Sequence, residues 1–582
     1  MSFRAPVRDL EFALANAGHN ELLAAAYPEL GLDTVRSILE AGGAFAEGVI
    51  SPLNRVGDTH GATYANGKVT AAPGFREAYK SFVDGGWSSL SSDPEFGGQG
   101  LSKALDFAVF EMMSAASMAF GLCPLLTQGA IEALSSHGTE FQKTVILPKL
   151  VSGEWTATMN LTEPQAGSDL AAVTTRAVPD GAGGYRLTGE KIFITWGDHD
   201  LTDNICHLVL ARTPDAPAGV KGISLFLASK HLINPDGSLG PRNDLRPASI
   251  EHKLGIHGSP TCVMLFEGAQ AELVGTLNNG LAHMFVMMNA ARLGVGVQGI
   301  AIAERAYQQA LAYALERKQG AASLATDGAG TIWDHPDVRR TLLLMKAKID
   351  AGRALYMNAG VLFDMARLSA CPETREAARS RQELLTPIVK SWGSDLGVEV
   401  ASHAVQMHGG MGYVEETGVA QHLRDARIAP IYEGTNAIQA IDLVRRKLRA
   451  DDGAAMRSLC ADIRATADDL VNNPGLASVG LRLRRAVDAL EGATNWIVGR
   501  SSVESLAAAS PFLKLAGDVA GGWLLAQQAL AAGTGETSWL RSKPAIARLY
   551  ASQVLACAPG AAEGLIESHI DLQAVSADAI AA

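Results

Sequence analysis

Residues 281–320 read LAHMFVMMNAARLGVGVQGIAIAERAYQQALAYALERKQG. Apolar residues recur through this stretch at the spacing of one helix face, which predicts a long helix. Residues 294–299, GVGVQG, match the GxGxxG fingerprint of dinucleotide-binding folds. That fingerprint requires a preceding strand and a turn into a helix, whereas these glycines stand inside a helical run. We therefore expect the glycines to allow close packing between helices.

The regions on either side of this helix differ in their patterns. Runs such as YRLTGEKIFITWG and ICHLVLART are rich in β-branched and aromatic residues and are separated by turn residues, which predicts a compact antiparallel sheet or barrel. The rest of the chain shows helical spacing. We predict an α+β fold with an N-terminal helical domain (1–154), a middle β-barrel (155–274), a helical bundle (275–449) and an additional C-terminal helical domain (450–582).

Composition limits the possible functions. The 582 residues are 47% hydrophobic and 19% charged, with a net charge of -12. Such a chain can bury large cores, and its acidic balance opposes nonspecific attraction to nucleic acid or anionic membranes. Its apolar runs are interrupted before the roughly 20 residues that span a bilayer, so we expect a soluble protein.

The chain start and the cysteines suggest the compartment. The first residues, MSFRAPVRDLEFALANAGHN, lack the pattern of an export signal, so we expect a cytoplasmic location. The six cysteines show no CxxC spacing, which argues against a zinc site or a disulfide framework. We expect them to be small core residues, and we expect no metal site.

Three segments carry groups suited to chemistry. MNLTEPQAGSDL (159–170) ends a strand and offers backbone amides and small hydroxyls that could hold anions or ring heteroatoms. GEKIFITWG (189–197) presents Phe193 and Thr195 on one face of a strand, which suits a flat ring. QMHGGMGYVEE (406–416) is followed by IAPIYEGTNAIQ (428–439), which places Glu433 between apolar residues and a glycine.

These segments resemble the acyl-CoA dehydrogenase family, together with PEFGGQG, KLGIHGSPT and ALERKQG in the same order across residues 90–440. The long chain and its helical tail are most like the branch that acts on 3-(methylthio)propanoyl-CoA. The resemblance implies FAD-dependent α,β-dehydrogenation of that thioester, or of a short to medium straight-chain acyl-CoA, to a trans-2-enoyl-CoA. It also implies electron transfer to an electron-transfer flavoprotein, a homodimer or higher homo-oligomer, and a role in dimethylsulfoniopropionate degradation.

The resemblance assigns the catalytic base to Glu433. An apolar setting disfavours the ionised carboxylate and should raise its pKa, which makes it a better base toward a weak carbon acid. Some family members carry the base on an earlier helix, at the position of Ala291, which cannot accept a proton. The backbone amide of Glu433 is expected to help bind the thioester oxygen.

The other site residues also follow from the resemblance. Gln319 and Gly320 depart from the family pattern, so their contacts are not assigned. Substrate binding is assigned to Ser168, Arg292 and Gly434. FAD binding is assigned to Met159, Leu161, Thr162, Gly167, Ser168, Phe193, Thr195, Arg317, Gln406, Gly409, Gly410 and Thr435.

Three of these assignments have a structural alternative. Glu433 could cap a helix that begins near Thr435, because carboxylates favour that end of a helix. Arg292 could be an ordinary salt-bridge partner and Arg317 an ordinary surface residue. His257 and His408 are more simply explained by hydrogen bonds to their surroundings than by catalysis.

Two alternative functions also stay open. An acyl-CoA oxidase would carry out the same dehydrogenation but pass its electrons to oxygen. A noncatalytic flavoprotein that protects DNA would need no base, and the net charge of -12 opposes it.

Overall fold

The structure is a computed structural model that describes residues 3–325, 330–567, 572 and 575–581. The region before residue 155 is mainly helical, as expected. Buried Phe, Leu and Met side chains of α6 and α7 form much of its core. The helices are α1 (Val7–Asn16), α2 (His19–Ala26), α3 (Leu32–Phe45), α4 (Leu53–His60), α5 (Phe75–Asp84), α6 (Lys103–Ala116), α7 (Met118–His137) and α8 (Leu147–Val151).

This helical region also contains a short β-hairpin that the sequence interpretation missed. Strands β1 (Thr63–Ala65) and β2 (Lys68–Thr70) pair antiparallel. Their two-residue turn is Asn66–Gly67, and both residues have positive φ, +52° and +75°. Asn-Gly is the preferred sequence for such a turn, so the signal was present in the chain.

The middle region is a β-barrel. Its main sheet runs β3-β6-β7-β11-β5-β4, with β10 also paired to β11. A bridge between Arg176 in β4 and Arg212, next to the end of β6, closes the ring. The strands are β3 (Thr156–Asn160), β4 (Arg176–Pro179), β5 (Tyr185–Thr195), β6 (Ile205–Ala211), β7 (Ser224–Ser229), β8 (His231–Ile233), β9 (Leu239–Arg242), β10 (Leu245–Ile250) and β11 (Thr261–Val274).

One strand pair departs from the predicted antiparallel arrangement. β3 pairs with β6 in parallel, with Thr156 opposite Ile205. In sequence, β4 and β5 lie between these two strands. Parallel strands require such a long crossover connection. Local patterning does not reveal which strands become neighbours.

Residues 281–316 lie in α9 (Gly280–Glu316), the central helix of the bundle. A Cβ atom on Gly299 would lie 2.2 Å from the carbonyl oxygen of Gly393, and one on Gly296 would lie 2.6 Å from that of Val389. The glycine-packing prediction is therefore confirmed. The remaining bundle helices are α10 (Pro336–Leu368), α11 (Pro372–Met407), α12 (Val419–Ala426), α13 (Asn436–Asp442) and α14 (Leu448–Ala450).

Helix α9 is the one described helix that is long and apolar enough to cross a membrane by length and composition. However, 78% of its most apolar 18-residue window is buried inside the protein. Its apolar character is accounted for by contacts with the core of the bundle.

The C-terminal region is helical and packs against the bundle. The ring of Trp392 on α11 fills the space beside Gly517 and Gly521, and its Nε1 donates to Asp518 at 2.9 Å. The four domain boundaries stay a prediction, and residue 582 lies outside the described residues. The helices are α15 (Ala454–Val471), α16 (Ala477–Val498), α17 (Ser502–Ala507), α18 (Ala509–Ala532), α19 (Ser538–Gln553), α20 (Ala558–Glu567) and α21 (Ala577–Ile580).

The expectation that all cysteines are core residues is wrong for two of them. Cys123, Cys206, Cys262 and Cys460 are buried, whereas Cys371 and Cys557 are exposed. Both exceptions lie at helix boundaries, the first at the N-cap of α11 and the second just before α20, where side chains reach solvent.

Candidate active site

Glu433 lies in a loop of left-handed backbone directly before α13. Its φ is +56° and that of Gly434 is +82°. A non-glycine residue rarely adopts this conformation, and such strain is concentrated at functional sites. Thr435, not Glu433, is the N-cap of α13, because its hydroxyl oxygen accepts from the backbone N–H of Ile438 at 3.4 Å. The capping alternative for Glu433 is therefore wrong.

The carboxylate of Glu433 is half-buried and faces two cations. Burial raises its pKa to about 7, whereas the positive charges of Arg292 on α9 and Lys390 on α11 oppose that rise. The group therefore changes charge near neutral pH, which suits a general base. Gly434 is held close against Gln439, because a Cβ atom on this glycine would lie 2.8 Å from Gln439 Nε2.

The raised pKa of Glu433 predicts a pH dependence. Only the ionised carboxylate can accept a proton, so the rate of substrate-dependent flavin reduction should increase with pH and level off above a midpoint of about 7. Anaerobic stopped-flow absorbance with saturating acyl-CoA measures this rate. A rate that stays constant roughly two pH units either side of that midpoint would contradict the role of Glu433.

The backbone of Glu433 has a second chemical use. Among the described residues, none accepts a hydrogen bond from its N–H, whereas the carbonyls of Glu433 and Gly434 each accept from Gln439 Nε2 at 3.3 Å. A fixed N–H beside the carboxylate can donate to an oxygen that becomes negative as a neighbouring carbon loses its proton. One residue therefore offers both a base and an oxyanion donor.

Arg292 has features of both roles considered for it, a salt-bridge partner and a substrate-binding residue. Its Nη1 lies 3.2 Å from Asn289 Oδ1 and 3.8 Å from Asp442 Oδ2, so it is an ion-pair partner. Its Nη2 also lies 3.8 Å from the position that a Cβ atom on Gly434 would occupy. Burial lowers the pKa of Arg292, and Asp442 and Glu433 oppose that shift. Its assignment to substrate binding stays a prediction.

The sequence interpretation missed three polar residues around the base. Gln439 holds the two carbonyls described above, and the hydroxyl of Tyr432 donates to Gln298 on α9. Lys390 is fully buried on α11. A lone lysine within the apolar run TPIVKSWG was a signal that could have identified it, because an unpaired lysine is rarely buried.

On the barrel, the structure brings five of the predicted FAD-binding residues close together. The backbone N–H of Ile192 on β5 donates to the carbonyl of Thr162 at 2.9 Å, so the end of β3 lies beside β5. Lys191 strengthens this junction, because its buried Nζ lies 2.9 Å from the carbonyl oxygen of Leu161 and 2.8 Å from Glu163 Oε1. The residues brought together are Met159, Leu161, Thr162, Phe193 and Thr195.

Phe193 lies at a β-bulge in β5. The register with β11 shifts between Cys262 and Met264, and Phe193 has a φ of +59°. Its side chain is 59% exposed, and Thr195 is half-buried beside it. Gly167 and Ser168 are exposed in the loop that follows Thr162. An exposed aromatic surface on a rigid sheet next to a hydroxyl is able to receive a planar ring.

A second group of predicted FAD-binding residues lies on the bundle. Arg317 is exposed at the end of α9, and the ring of Tyr313 on that helix stacks on His408 with centroids 4.4 Å apart. This contact places the end of α9 beside the other members of the group, Gln406, Gly409 and Gly410. Gln406 is exposed, and no atom lies within 4 Å of a Cβ position on either glycine.

The two histidines considered for catalysis are engaged in the surrounding structure. The ring nitrogens of His257 lie 2.9 Å and 2.8 Å from the carbonyl oxygens of Asp58 and Lys253. His408 Nδ1 lies 2.7 Å from the carbonyl oxygen of Ala404. These contacts agree with the hydrogen-bonding alternative.

The residues present fit a flavin dinucleotide. Phe193 and Thr195 provide a face for the ring, and Gly409 with Gly410 provide open backbone for close approach of the phosphates. Arg317 is an exposed cation near those glycines. FAD can therefore be held by the residues assigned to it, although the two groups lie on different domains.

A small cavity lies between α6, α7 and α9. Its volume is about 40 Å³. One side is polar, because Lys103 Nζ lies 2.9 Å from Asp106 Oδ2 and 3.1 Å from Ser91 Oγ. The lining residues are Phe82, Trp87, Lys103, Asp106, Phe107, Val109, Phe110, Met113, Pro124, Leu125, Gln128, Gly129 and Ala290.

Family models match most of the chain. The models of the acyl-CoA dehydrogenase N-terminal, middle and C-terminal domains match residues 36–154, 158–269 and 278–448. A fourth model, described as acetyl-CoA dehydrogenase C-terminal like, matches residues 459–572. The four matches follow the order of the helical region, the barrel, the bundle and the tail.

Individual proteins are similar over nearly their whole length. A 3-methylmercaptopropionyl-CoA dehydrogenase of Ruegeria pomeroyi is 48% identical over 570 residues, which cover 95% of this chain and 96% of the relative. The structure of Caenorhabditis elegans ACDH-11 in complex with C11-CoA has a TM-score of 0.77 at 22% identity, covering 95% of this chain and 92% of that one. A Bacillus anthracis acyl-CoA dehydrogenase complexed with FAD has a TM-score of 0.75 at 21% identity, covering 94% and 90%.

Proposed function

The chain belongs to the acyl-CoA dehydrogenase family and is an FAD-dependent enzyme, and on that premise we propose that it oxidises 3-(methylthio)propanoyl-CoA to the trans-2-enoyl thioester. The observation that carries the proposal is the half-buried carboxylate of Glu433, with its raised pKa and an adjacent free N–H. A 48% identical relative with the matching name supports the choice of thioester.

The reaction removes two hydrogens from neighbouring carbons. FAD, when bound, would supply the acceptor for the hydride that leaves the β carbon. Glu433 accepts the α proton, and its backbone N–H donates to the thioester oxygen as negative charge develops there. Gly434 leaves room for the thioester, and the positive charge of Arg292 opposes the rise in the pKa of the carboxylate. Phe193 and Thr195 position the flavin ring.

The cavity supports a small terminal group on the acyl chain. Roughly 10–15 Å³ of such cavity volume is enough to hold one water molecule, so a cavity of about 40 Å³ has room for only a few heavy atoms. Four of its lining residues are aromatic, and thioether sulfur makes favourable contacts with aromatic rings. We assign this cavity to the end of the acyl chain. Lys103 and Asp106 disfavour a longer apolar chain, because burying that chain against their charges is unfavourable.

The electron acceptor, assembly and location are part of the same proposal. We propose that an electron-transfer flavoprotein reoxidises the enzyme and that the protein acts in the cytoplasm, in dimethylsulfoniopropionate degradation. We propose a homodimer because the family resemblance implies a flavin site shared between two subunits, and Arg317, the residue matched to the neighbouring subunit's flavin, is exposed at the end of α9. Four buried cysteines, with no disulfide among the described residues, suit a reducing compartment.

An anaerobic panel of thioesters tests the substrate. Flavin reduction should be fastest with 3-(methylthio)propanoyl-CoA and acyl chains of similar length, and slower by roughly tenfold or more with long chains, the usual discrimination of an apolar pocket. Bleaching of the flavin absorbance measures each rate, and Glu433→Gln serves as the control that should not respond. Equal rates across the panel would refute the assignment of the cavity.

The same samples separate the alternative functions. After reduction, air is admitted and reoxidation is followed with and without electron-transfer flavoprotein. Slow reoxidation by oxygen and fast reoxidation by the flavoprotein are expected, and rapid peroxide formation would instead indicate an oxidase. Salt-dependent retention on DNA would indicate the DNA-protecting alternative.

A further inference from the structure

Lys390 is a fully buried lysine near the base. It lies on α11, between Ile388 and Val389 on one side and Trp392 on the other, all of them buried. Burial lowers the pKa of Lys390 to about 7, against the opposing attraction of Glu433 and Asp395. Burying an ammonium group without a close ion pair is unfavourable, so its retention at this position calls for a functional reason.

One side chain links Lys390 to the loop of the base. Its Nζ donates to Asn436 Oδ1 at 2.9 Å. Asn436 is the first residue of α13, which follows directly after Glu433, Gly434 and the N-cap Thr435. Lys390 therefore contacts the segment that fixes the left-handed backbone of the base.

Asn436 is in turn held by α11. Its Nδ2 donates to the carbonyl of Ser391 at 3.1 Å, to Ser394 Oγ at 3.1 Å and to Asp395 Oδ1 at 2.8 Å. These contacts anchor α13 independently of Lys390. Removal of the lysine side chain therefore should not release the loop, and any effect on the base is dominated by the loss of charge.

Few charged groups lie near Lys390 and Glu433. Lys390 and Arg292 face Glu433, and Asp395 faces Lys390 from the same helix. Arg292 is partly neutralised by Asp442 at 3.8 Å and is close to Arg446. No carboxylate in the described part of the chain forms an ion pair with Lys390, so its charge is offset only in part, by the attraction of Glu433 and Asp395.

We propose that Lys390 is a positioning residue whose charge, held beside the loop by the hydrogen bond to Asn436, keeps Glu433 ionised and ready for the α proton. The inference rests on the proposed role of Glu433 as the base. In the step itself, the α C–H bond breaks and its proton goes to the carboxylate of Glu433. Lys390 neither gains nor loses a proton in that step.

The test is the pH profile of Lys390→Met. Loss of one nearby opposite charge should raise the midpoint for flavin reduction by about one pH unit. Below the midpoint the rate should fall about tenfold, whereas the plateau at high pH should stay within roughly threefold of the wild type, because a shift of one unit changes only the ionised fraction. Lys390→Arg should restore the midpoint. Lys80→Met, which removes an exposed lysine paired with Asp84, is the control and should leave the profile unchanged.

A readout independent of turnover accompanies the profile. The infrared C=O band of protonated Glu433 is the carboxylic acid band that is missing from the spectrum of Glu433→Gln. This band should disappear at a higher pH in Lys390→Met than in the wild type, because the pKa of Glu433 is higher in the variant. If the methionine variant does not fold, Lys390→Gln removes the charge but can still donate to Asn436, and the same upward shift is expected.

The results of these experiments distinguish failure of the proposed role of Lys390 from failure of the proposed dehydrogenase activity. An unchanged midpoint in both Lys390→Met and Lys390→Gln, with lower rates at every pH, would mean a structural role and would overturn the inference. In that case Glu433→Gln would still be inactive. Normal turnover of Glu433→Gln would instead remove the proposed function itself.

Discussion

Replacing Glu433 with glutamine should give folded, yellow protein whose turnover is lower by at least about a hundredfold, the usual scale for loss of a general base. The amide has nearly the same shape but cannot accept the α proton. The left-handed loop and the cap at Thr435 should persist, because they depend on backbone and on residues other than the carboxylate. Anaerobic flavin reduction under single-turnover conditions measures the loss directly.

A matched control distinguishes chemistry from a general effect of charge. Glu416 is exposed in the short helical turn before α12, so Glu416→Gln removes a carboxylate without touching the base. Its turnover should stay near that of the wild type. Flavin content and the near-ultraviolet circular dichroism spectrum should be the same in both variants. Loss of flavin in Glu433→Gln would indicate that the carboxylate acts mainly in folding.

Arg353→Met should produce the largest loss of stability, about 3–5 kcal/mol, the usual cost of breaking a buried ion pair from one side. Arg353 is 1% exposed on α10. Its Nε lies 3.1 Å and 3.0 Å from the two carboxylate oxygens of Glu111 on α6, and its Nη2 lies 2.9 Å from Glu304 Oε2 on α9. Methionine would leave both carboxylates buried without their partner.

Urea unfolding followed by tryptophan fluorescence measures this loss. The transition of the bundle should move to lower denaturant concentration, and the flavin should be released earlier. Arg36→Met is the control, because Arg36 pairs with Glu11 on the surface and should matter little. Equal midpoints for the two variants would contradict the importance of the buried cluster.

Much of the fold follows from local patterns. The long helix α9 and the strand-rich middle region could be predicted because hydrophobic spacing differs between helices and strands. The parallel pairing of β3 with β6 could not, because pairing depends on contacts between distant segments. The Asn66–Gly67 hairpin was missed although its turn signal is local.

The site was predicted less completely. Glu433 was predicted as the base from the IYEG segment and the family resemblance, and burial raises its pKa as expected. Its positive φ and the nearby Lys390 could not be predicted, because they depend on how α11 packs around the loop. Lys390 is far from Glu433 in sequence, and only the fold brings its charge close to the base. For the same reason, the FAD-binding assignments stay predictions.

The most direct test of the central claim is the kinetic isotope effect on flavin reduction by 3-(methylthio)propanoyl-CoA deuterated at the α carbon. With the wild type at a pH below the midpoint of Glu433, reduction should be several-fold slower than with the protiated thioester, because breaking the α C–H bond limits the rate. Glu433→Gln should give no reduction on this timescale with either thioester. Reduction of the Glu433→Gln flavin at the wild-type rate, with the same isotope effect, would show that another group removes the α proton.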